Sequence, residues 1–179
     1  MKKVFINVLF WFIVSWHKLI GPPCFLIFGS QLNSRILQAF GAQIGANNIF
    51  LSPIIIHNAN NGYSNLSIDD NCILNGNNYL DLSARITLER GVSLGPGVTI
   101  NTHNGYNSNP YLIERLPHTI GSKDVVIKQG ASIKAHALIV MGVTIGEDSV
   151  IAGGAVVNVD VPDRHLVAGV PARVVTEII

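Results

Sequence analysis

His103 stands where the regular patterning of the chain gives way to a mixed polar, aromatic and charged stretch, Asn101 to Val126. An imidazole with an ordinary pKa near 6.5 can take a proton from an attacking hydroxyl at neutral pH and hand it on to a leaving group. Asp81, Ser83 and Glu114 are candidates to orient such a base or to hold a hydroxyl-bearing partner. His118, late in the same stretch, reads equally as a contact to that partner or as a surface residue. The bland reading of His103 itself is a solvated histidine bonded to nearby asparagines. Its position favours the base, because a side chain two residues past a strand end can be aimed by a rigid element.

The element that would aim it is a six-residue repeat. Ile127, Ile133, Ile139, Ile145, Ile151 and Val157 recur every six positions. Four residues after each comes Ala131, Ala137, Val143, Ser149, Ala155 or Val161. The same register appears at Leu88, Leu94 and Ile100 and again at Ile68, Leu74, Leu80 and Ile86, with a two-residue slip between those two sets. A period of six fits neither a helix nor a lone amphipathic strand. It fits a solenoid of triangular cross-section, with one short strand and one turn per hexapeptide and the aliphatic residue pointing inward. A long excursion from such a solenoid adds nothing to its packing, so the loop at about 101–126 reads as functional.

Three segments follow: 1–43, apolar and helical; 44–162, the β-helix carrying the loop; and 163–179, a tail beyond Val161-Pro162. Asn33 or Ser34 is the expected cap of a short helix ending at Phe40, with Gly41 just past its end. Only 13% of residues are charged and 48% are hydrophobic, which excludes disorder. A net charge of +1 leaves no electrostatic footprint for nucleic acid. Cys24 and Cys72 lie in apolar surroundings without zinc-like spacing, so reduced thiols are expected. The run Val4–Trp16, as a helix, reaches only about 20 Å against a bilayer core of about 30 Å. Its aromatic residues and flanking lysines lean toward peripheral membrane contact through residues 1–30, rather than a span.

The stretch from Ile133, with Met141-Gly142-Val143-Thr144-Ile145-Gly146 and Asp160-Val161-Pro162 followed by Ala168-Gly169-Val170-Pro171-Ala172-Arg173, resembles the hexapeptide-repeat acyltransferases. Within them it is similar to maltose and galactoside O-acetyltransferases and to polysaccharide O-acetyltransferases. The resemblance implies an all-β fold, a left-handed parallel β-helix, and a homotrimer. It implies acetyl-CoA as acyl donor with no metal, and a sugar or glycan hydroxyl as acceptor in surface polysaccharide biosynthesis. The reduced thiols point to a cytoplasmic protein, peripheral on the inner face of the membrane if the N-terminus binds there. His103 matches the family's catalytic histidine, which opens the same loop. Ala135 and Gly142 would offer backbone N–H groups near the thioester, Ala135 and Gly153 would let the pantetheine arm lie against the backbone, and Arg173 would meet the CoA phosphates. The chain departs from the family where Val159 replaces a phosphate-binding lysine, and at Ser132 and Lys134. Two other readings compete: a non-catalytic β-helix scaffold, and a zinc enzyme like the γ-class carbonic anhydrases using His103, His118 and His136.

Overall fold

Every aliphatic residue of the six-residue series is buried, from Ile127 through Val157, and so are Ala131, Ala137, Ser149 and Ala155 beside them. A computed structural model describes residues 7–8, 10–12, 25–26, 29–105, 109–117 and 120–179. Its parallel strands wind into a solenoid of about five turns with three flat faces. The first face stacks Ile54–His57, Asn78–Asp81, Thr99–Ile100, Leu138–Ile139 and Val156–Val157. The second stacks Gln43–Ile44, Leu66–Ile68, Ile86–Leu88, Val125–Ile127 and Thr144–Ile145. The third runs from Ile49–Phe50 to His165–Ala168, and Arg173–Glu177 turns back antiparallel on its last strand.

Strands of two residues suffice because each coil needs only an inward aliphatic side chain and its outward neighbour. Ile100 lies opposite Leu80 and Ile139, and Ile127 opposite Leu88 and Ile145, so inward residues stack on inward residues. Backbone donors run from coil to coil, as in Gly95 N–H to Ile133 C=O at 2.7 Å and Lys134 N–H to Ile151 C=O at 2.9 Å. At the turns, carboxylates complete the ladder: Asp70 accepts from Ala46 N–H at 2.7 Å, Asp124 from Arg85 N–H at 2.9 Å and Asp163 from Glu147 N–H at 2.8 Å. Where backbones crowd at a corner, only glycine fits. A Cβ on Gly95 would lie 2.7 Å from the Ala135 nitrogen.

The departures from six concentrate at one corner, the one joining the first face to the second. Passing it takes twelve residues from Ile56 to Ile68, eight from Leu80 to Leu88 and twenty-seven from Ile100 to Ile127. In the next coil, Ile139 to Ile145, it takes the regular six. The two-residue slip seen in the sequence is therefore the Asp81–Arg85 corner. The long excursion is rooted in a two-strand hairpin, His103–Asn104 paired antiparallel with Gly121–Ser122. It carries one short helix, α2 (Pro110–Arg115), capped by the Asn109 side chain and with no buried residue.

One end of the solenoid is covered by helix α1 (Ser30–Ala39), which buries Leu32, Ile36 and Leu37 against the first coil. This helix begins four residues before the Ser34 start predicted from capping, and its N-cap position is Gly29 with no side-chain cap. Tertiary bonds decide the difference. The Ser30 hydroxyl accepts from Phe50 N–H at 2.9 Å, and Asn33, fully buried inside the helix, donates to Ser52 Oγ at 3.1 Å. Gly41 does take the expected place past the C-terminus, at φ +103°. His17, Cys24 and most of the predicted apolar helix 4–16 lie outside the described residues; Cys72 is buried and unpaired with another cysteine.

Candidate active site

Three successive coils each deliver one side chain to the irregular corner. Asn58 follows the strand Ile54–His57, Asp81 ends the strand paired with it, and His103 comes three residues after Ile100. Asn58 holds a left-handed backbone, φ +55°, which asparagine tolerates better than most residues. The extra residues at this corner are what let side chains converge here instead of being consumed by a tight turn.

Asp81 is the hub. Its side chain is completely buried, and His103 Nδ1 lies 2.6 Å from Oδ2. Oδ2 also accepts from Thr102 N–H at 2.9 Å, while Oδ1 accepts from Asn58 Nδ2 at 2.7 Å and from the Ser83 hydroxyl at 2.9 Å. Burial alone would push the carboxyl pKa up. The hydrogen bonds from His103, Asn58, Ser83 and Thr102 outweigh it and hold the group down at about 2. Asp81 is therefore an anion throughout the neutral range. The Thr102 hydroxyl bonds the Asp81 carbonyl at 2.7 Å and accepts from Ala84 N–H at 3.0 Å, which locks the corner beneath the histidine.

This geometry fixes the tautomer. A carboxylate at 2.6 Å needs a proton on Nδ1, so Nδ1–H donates and the lone pair of the neutral ring sits on Nε2. Asn58 Nδ2, 3.4 Å from Nδ1, then faces another donor and spends its hydrogen bond on Asp81. The His103 side chain is 41% exposed, while its Nδ1 is anchored on the buried Asp81 carboxylate. A buried carboxylate beside an oriented, partly exposed imidazole is an arrangement able to act as a general base, because the carboxylate would stabilise the imidazolium as it forms.

The predicted residues divide between two corners. Ser83 supports Asp81 rather than the open side of the site. Gly142 belongs to the same corner in the following coil, at φ +81°, where a Cβ would press on the Lys123 side chain. Ala135 and Gly153 lie at the corner between the third and first faces. There Ala135 C=O accepts from Gly154 N–H at 2.9 Å, and a Cβ on Gly153 would sit 3.1 Å from the same oxygen. Arg173 opens the last strand just past that corner, exposed, with Nη1 on the Ala172 carbonyl at 2.7 Å. Within one chain a whole face of the solenoid separates these residues from His103. Glu114 sits on exposed α2, paired with Arg115 at 3.3 Å, away from the Asp81 hydrogen-bond network. His118 lies outside the described residues. Lys134 donates to Ser132 Oγ at 2.9 Å, which joins the two positions that depart from the family pattern. Among the described residues no group of three or more His, Cys, Asp or Glu could hold a metal ion.

The sequence reading missed Asn58 and Thr102. The register that exposes Asn58, His57 opposite Asp81, was hidden by the twelve-residue corner after Ile56. Thr102 was hidden in plain view beside His103.

Known proteins resemble the chain at both levels. It is 33% identical over 120 residues to the galactoside O-acetyltransferase of Escherichia coli strain K12, covering 64% of this chain and 55% of that protein. It is 31% identical over 140 residues to the galactoside O-acetyltransferase of Lactococcus lactis, covering 78% and 65%. Among solved structures, a hexapeptide-repeat acetyltransferase of Vibrio cholerae complexed with acetyl-CoA matches with a TM-score of 0.66 and 28% identity, over 80% of this chain and 75% of that one. The solenoid is thus that of the left-handed β-helix acetyltransferases. No family model matches the chain. The chain spans little more than half the length of the E. coli acetyltransferase and about two thirds of the L. lactis one.

Proposed function

We propose that the protein transfers an acetyl group from acetyl-CoA to a hydroxyl of a sugar or lipid-linked glycan in surface polysaccharide biosynthesis, on the cytoplasmic side. The observation that carries this reading is the 2.6 Å contact between His103 Nδ1 and the buried Asp81 carboxylate, in a solenoid whose relatives are named acetyltransferases. His103 Nε2 takes the hydroxyl proton as the oxygen attacks the thioester carbonyl. The tetrahedral intermediate collapses with cleavage of the C–S bond, and the imidazolium returns the proton to the departing thiolate. The products are the acetyl ester and CoA. Asp81 stays ionised throughout and stabilises the imidazolium without taking its proton, in keeping with its pKa of about 2.

Ala135 and Gly153, with close-packed backbone and little side chain, suit the pantetheine arm, and Arg173 suits the CoA phosphates. Gly142, beside the His103 corner, suits the thioester end. One chain keeps the His103 corner and the Ala135 corner on opposite edges of a face. A homotrimer that sets one subunit's His103 corner against its neighbour's Ala135 corner would bring them together. Purified protein with acetyl-CoA and candidate glycans should release CoA, and His103→Ala should lower the rate by about 10²–10⁴-fold. Undiminished turnover in that variant would sink the role of His103, and absence of CoA binding by calorimetry would favour the scaffold reading.

A further inference from the structure

The outward side of the first face carries an aromatic pair close to His103. One outward position passes from coil to coil as Ile55, Tyr79, Thr99, Leu138 and Val156, each opposite the next in register. At Tyr79 alone does this row hold an aromatic ring. The ring of His57 lies beside it, with centroids 5.7 Å apart and planes tilted by 33°. In this offset arrangement the rings do not cover each other fully, and His57 is exposed while Tyr79 is half-buried.

Register ties the pair to the base. His57 lies opposite Asp81, and the next residue, Asn58, donates to Asp81 Oδ1 at 2.7 Å and stands 3.4 Å from His103 Nδ1. Tyr79 precedes Asp81 by two residues, about 7 Å along the strand, so both side chains leave the sheet on its outer side. The Tyr79 hydroxyl registers that proximity. Burial first, and then the negative charge of Asp81, push its pKa above the ordinary value. It keeps its proton at neutral pH and can donate a hydrogen bond. Two rings on the outer side of a sheet add nothing to the interior of the coil, but they are placed to meet a molecule that brings its hydroxyl to His103.

A pyranose carries ring C–H groups on one face and hydroxyls around its rim. Those C–H groups, made slightly positive by the neighbouring oxygens, are attracted to the negative face of an aromatic ring. We propose that His57 and Tyr79 are the acceptor platform, on which a pyranose lies by its C–H face while a rim hydroxyl reaches His103. The inference rests on the acyl-transfer reading and narrows its acceptor to a closed sugar ring with an unobstructed C–H face, as against an open-chain polyol.

The probes are methyl β-galactopyranoside, whose hydrogens on C3, C4 and C5 share one face, and galactitol, its open-chain counterpart. Saturation-transfer NMR with the wild-type protein should place the strongest transfer on those three hydrogens, and Tyr79→Ala and His57→Ala should each lose that pattern. In steady-state assays at saturating acetyl-CoA, Tyr79→Ala should raise the KM for the galactoside about tenfold and leave the KM for acetyl-CoA in place. Tyr79→Phe, which keeps the ring, should stay within about threefold of wild type, and the KM for galactitol should not move in any variant. His57 is exposed, so His57→Ala keeps the test valid even where Tyr79→Ala loses its thermal transition. Transfer that is absent or spread evenly over the galactoside overturns the platform, and so does an unchanged galactoside KM in both alanine variants. An equal rise in the KM for galactitol overturns stacking as the mode of recognition. Face-selective transfer without any release of CoA would instead sink acyl transfer and leave His57 and Tyr79 as a sugar-binding surface.

Discussion

Asp81→Asn keeps the shape of the hub and removes its charge, which separates orientation of the base from packing of the corner. The asparagine amide can no longer accept every hydrogen bond that now converges on the carboxylate, and it gives His103 Nδ1 no anion. Turnover should fall by about 10²–10⁴-fold, the range seen when an imidazole loses its orienting carboxylate. Acid stability provides a second readout. The Asp81 pKa is depressed in the folded protein, from 3.8 to about 2. Its contribution is therefore fully present above the unfolded value and is lost as pH falls from about 4 through about 2. Denaturant unfolding followed across that window should lose part of its pH dependence in Asp81→Asn. Asn58→Ala is the milder case, because it deletes one donor of several. With a hydrogen bond to a charged group worth about 1.5–3 kcal/mol, kcat should drop about ten- to a hundredfold with little change in the KM for acetyl-CoA. A change confined to KM would place Asn58 on the substrate instead of behind Asp81.

At the level of the coil, stability rests on backbones meeting at corners as much as on the aliphatic stack. Gly95 does not use a left-handed backbone, so Gly95→Ala tests crowding alone: its Cβ would meet Ala135 N at 2.7 Å and the Lys134 carbonyl carbon at 3.0 Å. Overpacking of this kind costs about 1–3 kcal/mol, a loss of several degrees in Tm by calorimetry. Ile133→Ala, which opens a void in the stack, should cost about 2–5 kcal/mol. These two devices explain what could be read in advance. The six-residue series was legible because inward residues must be aliphatic at every strand, whatever the turns do. The start of α1 was not, because Ser30 and Asn33 answer to Phe50 and Ser52 in the first coil, a long-range contact that no local cap preference encodes. Asp81 and Ser83 were legible as polar residues near a distorted corner. Their bond to each other and to His103 required the register across coils, which the unequal corner lengths conceal from spacing. Glu114 looked equivalent to them by residue type, yet it rides on a helix that leaves the solenoid.

At the scale of the whole molecule, the separation of the two corners becomes a prediction about assembly. His103, Asp81 and Gly142 share one edge of the first face, while Ala135, Gly153 and Arg173 lie along the other. If one subunit supplies the base and its neighbour supplies the groove for CoA, two different lesions can cure each other. His103→Ala subunits keep an intact Arg173 edge, and Arg173→Ala subunits keep an intact His103 edge. Each homo-oligomer should be weakly active or inactive for its own reason, the first through kcat and the second through the KM for acetyl-CoA. Co-expressed in equal amounts and assembled at random in a closed ring, about a quarter of the interfaces would pair an intact base with an intact groove. Activity near that fraction of wild type, at a normal KM, is the expected outcome in steady-state assays of the mixed oligomer. If base and groove instead belonged to a single chain, every site in the mixture would carry one lesion or the other. Mixing would then restore nothing.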